Sequence, residues 1–310
     1  MNKRNVRKGA FFAIFLILAG AGIHFAIASL VPEKPREISL ADISSSIPDT
    51  GSFIAPSEIP EKRSEMSAPK DLAVESSMAF DLSTGSEIFS VDKNKRWPIA
   101  SITKMMTSVI ALENLKDDAE ATMSENAIAT EGSSGGMIKG DKYTVHDLIT
   151  AMMVVSSNDA AVAISEMMPE GEFIKKMNEK AKALGMANTN YVEPTGLSSM
   201  NQSTMEDMSK LMIYAWVNHQ ELFVISSKTK GYIKEVSAKK KRELTNIDVL
   251  SSRSNFLGGK TGFTEEARQN LISVFSFDKR PVGIMIFGAE DRVVEADKMI
   301  KFIKDGNRSN

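Results

Sequence analysis

Trp97-Pro98-Ile99-Ala100-Ser101-Ile102-Thr103-Lys104-Met105-Met106 is the stretch on which the fold and chemistry of this chain turn. Its apolar residues, continued at Val109 and Ile110, recur at helical spacing, which predicts a helix with Ser101 at or near its N-terminus. A residue three positions on returns to the same face, so Lys104 can approach the Ser101 hydroxyl. A serine is a weak nucleophile until a neighbouring base takes its proton. A lysine serves as that base only when desolvation or nearby positive charge lowers its pKa. The start of a helix also leaves backbone amides free to stabilise an oxyanion. Alone, the spacing is weak evidence, because a capping serine with a solvated lysine is the commoner meaning of such a tetrapeptide.

Two motifs further along reverse that balance. Ser156-Ser157-Asn158 follows an apolar run at Leu148 to Val155 and precedes Asp159-Ala160-Ala161, which places it on a short loop between two helices. Gly258-Gly259-Lys260-Thr261-Gly262-Phe263-Thr264 opens a strand-like C-terminal region, where small residues let a ligand approach the backbone closely. Around these, Met78 to Asp81 and Glu87 to Val91 flank a Ser83-Thr84-Gly85-Ser86 turn and read as a β-hairpin. Asn270 to Phe277 and Val282 to Phe287 read as two more strands about a turn at 278–281, followed by an amphipathic helix at about Val293 to Ile303. Thr144 with Asp147, and Ser203 or Thr204 with Asp207, look like capping boxes ahead of helices in the middle of the chain. The chain therefore starts a sheet, leaves it for a helical region and returns to complete it. That is an α+β arrangement with its site expected where the two parts meet.

The order SxxK, SxN, KTG is the signature set of penicillin-binding proteins and class A β-lactamases. Over about residues 75 to 305 the sequence resembles the low-molecular-mass penicillin-binding proteins of the D-alanyl-D-alanine carboxypeptidase family. Pro98 to Lys104, Ser157 to Ala161, Met177-Asn178-Glu179-Lys180-Ala181 with Leu184-Gly185-Met186, Pro194-Thr195-Gly196-Leu197 and Lys260 to Thr264 carry the likeness in the right order. It implies a β-lactamase/penicillin-binding-protein-like fold, with an antiparallel sheet flanked by helices and a mostly helical subdomain inserted at about 101–225. It implies a serine-type D-Ala-D-Ala carboxypeptidase acting on peptidoglycan stem peptides through an acyl-enzyme, inhibited by β-lactams and needing no cofactor. In that scheme Ser101 attacks, Lys104 is the general base, Ser156 relays a proton to the leaving amine and Asn158 holds substrate and Lys104. Lys260, Thr261 and Gly262 bind the substrate, the first two through its terminal carboxylate, and the amides of Ser101 and Phe263 form the oxyanion hole. Ser157 stands where glycine is frequent, which is expected to matter little. Arg292 is expected to begin the last helix rather than to bind a carboxylate. Three alternatives stay open: a D,D-endopeptidase cutting cross-links, a β-lactamase, and a non-catalytic wall-binding or β-lactam-sensing module. Against the β-lactamase, Glu193-Pro194-Thr195-Gly196-Leu197 looks more like the carboxypeptidase segment than like one bearing a water-activating glutamate.

Composition removes other classes. With 38 basic and 40 acidic residues the net charge of −2 leaves no footprint for nucleic acid. No cysteine is present, and His24, His146 and His219 have no ligand spacing, so neither disulfides nor a metal site are expected. The 19 methionines fall at helical core spacings and read as packing. Lys239-Lys240-Lys241-Arg242 reads as a solvated hairpin edge in preference to a docking site for an anionic wall polymer.

At the N-terminus, Lys3, Arg4, Arg7 and Lys8 precede an uncharged run from Gly9 to Val31, the pattern of an export segment. Ala26-Ile27-Ala28 offers a cleavage site, whereas the 23-residue run is long enough to remain as an anchor in the cytoplasmic membrane. Six of the ten prolines fall between residues 32 and 69, so 32–70 reads as a disordered linker. The expected organisation is a signal peptide or anchor at 1–31, that linker, and an extracytoplasmic catalytic domain at 71–306.

Overall fold

The computed structural model describes residues 68–308; the export segment and the linker before residue 68 lie outside the described residues. The chain enters through β1 (Ser76–Asp81) and β2 (Glu87–Val91), joined by the turn in which Gly85 takes φ 72° and donates to the Asp81 carbonyl. β3 (Trp97–Pro98) leads to a 3-10 turn, Ala100–Ile102, and helix α1 (Thr103–Asn114). There follow β4 (Glu120–Thr122), α2 (Glu125–Ala129), β5 (Lys142–Thr144), α3 (Val145–Val154), α4 (Asn158–Ser165) and α5 (Glu172–Ala183). Then come β6 (Gln202–Ser203), α6 (Met205–Asn218), α7 (Gln220–Ser227) and the ribbon β7 (Lys230–Lys234) and β8 (Lys241–Thr245). A second 3-10 turn, Val249–Ser252, returns the chain to β9 (Phe256–Thr264), β10 (Arg268–Phe277), β11 (Arg280–Ala289) and α8 (Arg292–Arg308).

The main sheet has the order β2-β1-β11-β10-β9, with every pairing antiparallel. β10 and β11 turn at Asp278 and Lys279, both with positive φ, so the connection is a tight hairpin with the loop geometry that matches strand twist. Alternation along the strands builds two cores. Met78, Phe80, Ile272, Val274, Met285 and Phe287 face the helical region, while Ala79, Leu271, Phe275, Ile284 and Ile286 face α8 through Ala296, Met299, Ile300 and Ile303. Ala68, Leu72 and Val74 pack against the second cluster, so ordered packing reaches back to the first described residues.

Both expected N-caps form, Thr144 accepting from the Asp147 amide and Thr204 from the Asp207 amide, each at 3.1 Å, while the aspartate carboxylates turn to other donors: Asp147 to the Thr144 hydroxyl and the Lys234 amide, Asp207 to the Asn188 amide and the Thr189 hydroxyl. Most methionines, including Met105, Met106, Met152, Met208 and Met212, are buried in the core between sheet and helices, whereas Met200 is exposed. Among the described residues no helix is long and apolar enough to cross a membrane.

What positions the site is the edge strand β9. Gly258 lies so close to the Phe223 backbone of α7 that a Cβ there would stand under 3 Å from it, and a Cβ on Gly262 would stand 2.9 Å from the Ile99 carbonyl and 3.1 Å from the Ser101 amide. The small residues of this strand let its edge press directly on the turn that carries Ser101.

Candidate active site

The turn before α1 does something the spacing alone did not predict. Ser101 sits in the 3-10 turn Ala100–Ile102, Ile102 is the N-cap of α1, and no side chain caps that helix. The serine hydroxyl is therefore free for other work. Lys104 is fully buried, and its Nζ lies 2.9 Å from Ser101 Oγ, 2.6 Å from Asn158 Oδ1 and 2.6 Å from the Thr195 carbonyl. A neutral amine has two protons and one lone pair. The two carbonyl oxygens take the protons, which leaves the lone pair facing the serine. Burial pulls the Lys104 pKa down to about 7, while the carboxylates of Glu193 and Asp159 oppose that fall.

Ser156 and Asn158 arrive on the connection between α3 and α4. Ser156 adopts φ 60°, an uncommon conformation for a residue with a side chain, and Asn158 is held through its amide by the Ser133 carbonyl at 2.7 Å and through Nδ2 by the Glu131 carbonyl at 2.7 Å. Ser157, expected to be a neutral substitution for glycine, caps α4: its hydroxyl accepts from the Ala160 amide at 3.1 Å and donates to the Asp159 carboxylate. Asp159 in turn receives Ser134 Oγ at 2.8 Å and the Gly135 amide, which ties down the 131–136 loop behind Asn158.

Lys260 is buried on β9 and donates to Ser156 Oγ at 2.8 Å and to the Thr261 carbonyl at 2.7 Å. Burial, aided by the positive charge of Lys104, holds its pKa well below the ordinary lysine range. The structure thus brings Ser101, Lys104, Ser156, Asn158, Lys260, Thr261 and Gly262 into one site, with the Phe263 side chain exposed at its rim. Arg292 begins α8 and also reaches the site, donating from Nη1 to the Gly262 carbonyl at 3.3 Å. Arg242 is more than a solvated edge residue: its guanidinium bonds the carbonyls of Gly135 and Gly136, while Lys239, Lys240 and Lys241 remain exposed. Among the described residues no group of three or more His, Cys, Asp or Glu side chains could hold a metal ion.

Sequence reasoning missed the 193–201 loop as a part of the machinery. Its Thr195 carbonyl holds Lys104, its Gly196 at φ 87° lies against the Ala100–Ser101 peptide, and its Asn201 carbonyl accepts from the Ile99 amide at 3.0 Å. The segment Pro194-Thr195-Gly196-Leu197 entered only as part of the family likeness; its glycine, a residue that permits a turn or a close backbone approach, was the signal for its place beside Ser101.

Known proteins resemble this chain in sequence and fold. The family model described as D-alanyl-D-alanine carboxypeptidase matches residues 62–291. The chain is 29% identical over 265 residues to a D-alanyl-D-alanine endopeptidase of Pseudomonas aeruginosa, spanning 81% of this chain and 84% of that protein. It is also 29% identical over 245 residues to a D-alanyl-D-alanine carboxypeptidase of a Streptomyces species, spanning 72% and 83%. Penicillin-binding protein D2 of Listeria monocytogenes, solved in its ampicillin-bound form, superposes with a TM-score of 0.67 at 25% identity over 75% of this chain and 98% of its own. The fold is that of the penicillin-binding D,D-peptidases, and the chain belongs to the D-alanyl-D-alanine carboxypeptidase family.

Proposed function

We propose that the protein is a serine-type D-Ala-D-Ala carboxypeptidase of peptidoglycan stem peptides. One observation carries the reading: a buried amine of pKa about 7, both of whose protons have carbonyl acceptors, stands 2.9 Å from Ser101 Oγ. Ser101 Oγ attacks the carbonyl between the two terminal D-alanines as Lys104 takes the hydroxyl proton. The tetrahedral oxyanion is held by the Ser101 and Phe263 amides, whose approach is supported by the tight packing of Gly262 on Ser101. Each such donor is commonly worth about 3 kcal/mol in the transition state. The C–N bond then breaks, Ser156 passes a proton to the leaving amine, and D-alanine departs from the acyl-enzyme. Asn158 aligns the peptide, and Lys260 with Thr261 and Gly262 receives the terminal carboxylate, a charge-assisted contact that a cation in a dry site makes strong. Water hydrolyses the ester and returns Ser101. A β-lactam carbonyl enters by the same attack and leaves a ring-opened ester.

Endopeptidase activity is the second reading, favoured by the name and 84% coverage of the Pseudomonas relative. The acylation is identical; the leaving amine there belongs to a cross-linked neighbour instead of free D-alanine. Such substrates lie outside the cytoplasm, and the charged-then-apolar N-terminus supports tethering by, or export across, the cytoplasmic membrane. Incubating the protein separately with a stem pentapeptide and a cross-linked dimer, beside Ser101→Ala, separates these readings. D-alanine from the pentapeptide establishes the carboxypeptidase, monomers from the dimer establish the endopeptidase, and no turnover of either by folded protein leaves a non-catalytic module.

A further inference from the structure

Glu193 opens the loop whose Thr195 carbonyl holds Lys104, and its carboxylate oxygens are taken up by that loop. Oε2 accepts from the Thr195 amide at 2.6 Å and the Thr195 hydroxyl at 2.5 Å. Oε1 accepts from the Gly196 amide at 2.7 Å, Asn201 Nδ2 at 2.9 Å and, at longer range, the Ser198 amide at 3.4 Å. A carboxylate offers about four lone-pair directions, so these donors leave none for a water. The loop so folded is fastened to the first turns of α1, just beyond the nucleophile. Asn201 Nδ2 also donates to Thr103 Oγ1 at 3.1 Å, and Thr107 Oγ1 donates to the Pro194 carbonyl at 2.7 Å. The free end of the arrangement is the Thr195 carbonyl, 2.6 Å from Lys104 Nζ.

We propose that Glu193 is the positioning residue of Lys104: it folds the 193–198 loop so that the Thr195 carbonyl orients the amine, and it does not activate the water that releases the acyl group. The proposal rests on the assignment of Lys104 as the base of acylation. It has an electrostatic consequence. Among the described residues the charges acting on Lys104 are Glu193 and Asp159, which favour its protonated form; Lys104 in turn disfavours the proton of Lys260, on which Asp248 and Arg292 also act. Asp159 is engaged by Ser134, Gly135 and Ser157, so both carboxylates work from fixed positions. Removing the charge of Glu193 therefore lowers the proton affinity of Lys104, and a base that stays neutral to lower pH moves the acid limb of acylation downward.

The test is the rate of penicillin acylation of the full-length protein, followed by intact mass between about pH 5 and 9, for the parent, Lys104→Ala, Glu193→Gln and Glu193→Asp. Lys104→Ala loses the acid limb together with most of the acylation. If it acylates as fast as the parent, the base assignment fails and the proposal fails with it. With that assignment upheld, Glu193→Gln lowers the maximal rate about tenfold or more and shifts the acid limb down by about half a unit or more. Glu193→Asp keeps the charge but draws the carboxylate back by one methylene, so its limb stays in place while its maximal rate falls. An unmoved limb in Glu193→Gln overturns the proposal, as does a Glu193→Gln protein that acylates like the parent and then accumulates a long-lived acyl-enzyme. Should Glu193→Gln not fold, judged by near-ultraviolet circular dichroism, the aspartate variant decides: a slowed rate with an unmoved limb upholds the proposal and a parental rate overturns it.

Discussion

Replacing Gly196 with alanine tests whether the 193–201 loop holds the nucleophile in place. A Cβ built on Gly196 stands 2.9 Å from the Ser101 amide nitrogen and closer still to the Ala100 carbonyl, where ordinary contact begins at 3.4 Å. The residue also has φ 87°, and an alanine held in the left-handed region costs about 1–2 kcal/mol. Neither obstacle is a flexible side chain; both are backbone of the turn that carries Ser101. Relief requires the loop or the turn to retreat by roughly 1 Å, which adds about 1–3 kcal/mol of packing strain. The total of about 2–5 kcal/mol lowers Tm by roughly 5–15 °C for a domain of this size. The same retreat misplaces Ser101 Oγ, its amide and the Thr195 carbonyl together, and a displacement of about 1 Å at a reacting centre costs on the order of 100-fold in rate. Acylation by a fluorescent penicillin, measured well below the new Tm, separates the two effects. An alanine variant within threefold of the parental rate and about 2 °C of its Tm would refute the reasoning.

Other outcomes follow from the buried amines and the loops around them. Acylation by the parent falls about tenfold per pH unit below roughly pH 6, because Lys104, with a pKa of about 7, is increasingly protonated there; a flat stopped-flow profile from about pH 5 to 8 contradicts the assignment. Folded Lys104 releases its proton at about 7 whereas an unfolded lysine holds it to about 10.5, so between these values the unfolded chain binds more protons and the lysine's contribution to stability rises with pH. The Tm of the parent relative to Lys104→Met accordingly climbs from about pH 7 to 10, and a constant difference in scanning calorimetry argues that the amine is not desolvated. Arg242→Ala removes the guanidinium from the Gly135 and Gly136 carbonyls and loosens the loop behind Asn158; acylation slows several-fold while Tm moves by less than about 3 °C, and an unchanged rate shows that the loop stands without it.

The parts of the site that were legible in sequence are those joined by short spacing or by strong local chemistry. Ser101 and Lys104 lie one helical turn apart, so periodicity alone brings them together, and the glycines flanking Lys260 announced a backbone pressed against something. The strands and both N-cap threonines were readable for the same local reasons. The chain did not show that Ser101 would occupy a 3-10 turn instead of the helix cap, because that depends on Asn201 and Gly262 pinning Ile99 and Ser101 from far along the chain. It also concealed Thr195, whose working atom is a backbone carbonyl that any residue type would supply. Ser157 was undervalued for a related reason: its cap to Ala160 and bond to Asp159 appear only once α4 starts at Asn158.

Two buried lysines in one site create an electrostatic problem whose resolution bears on specificity. Lys104 and Lys260 are both desolvated, and the charge of Lys104 disfavours the proton of Lys260. Lys104 keeps two carboxylates, Glu193 and Asp159, within electrostatic reach. Among the described residues Lys260 has Asp248 as its one opposing charge, while Arg292 adds to its difficulty. The protein's own charges therefore favour a neutral Lys260 more strongly than a neutral Lys104. A ligand that brings a carboxylate to Lys260 supplies the missing negative charge, stabilises that proton, and sets a cation close to Lys104. The cation disfavours protonation of Lys104 and so keeps the base free at the moment of attack. Under the proposed mechanism the carboxylate of a chain end would do more than anchor: it would complete the charge balance under which Lys104 can take the serine proton.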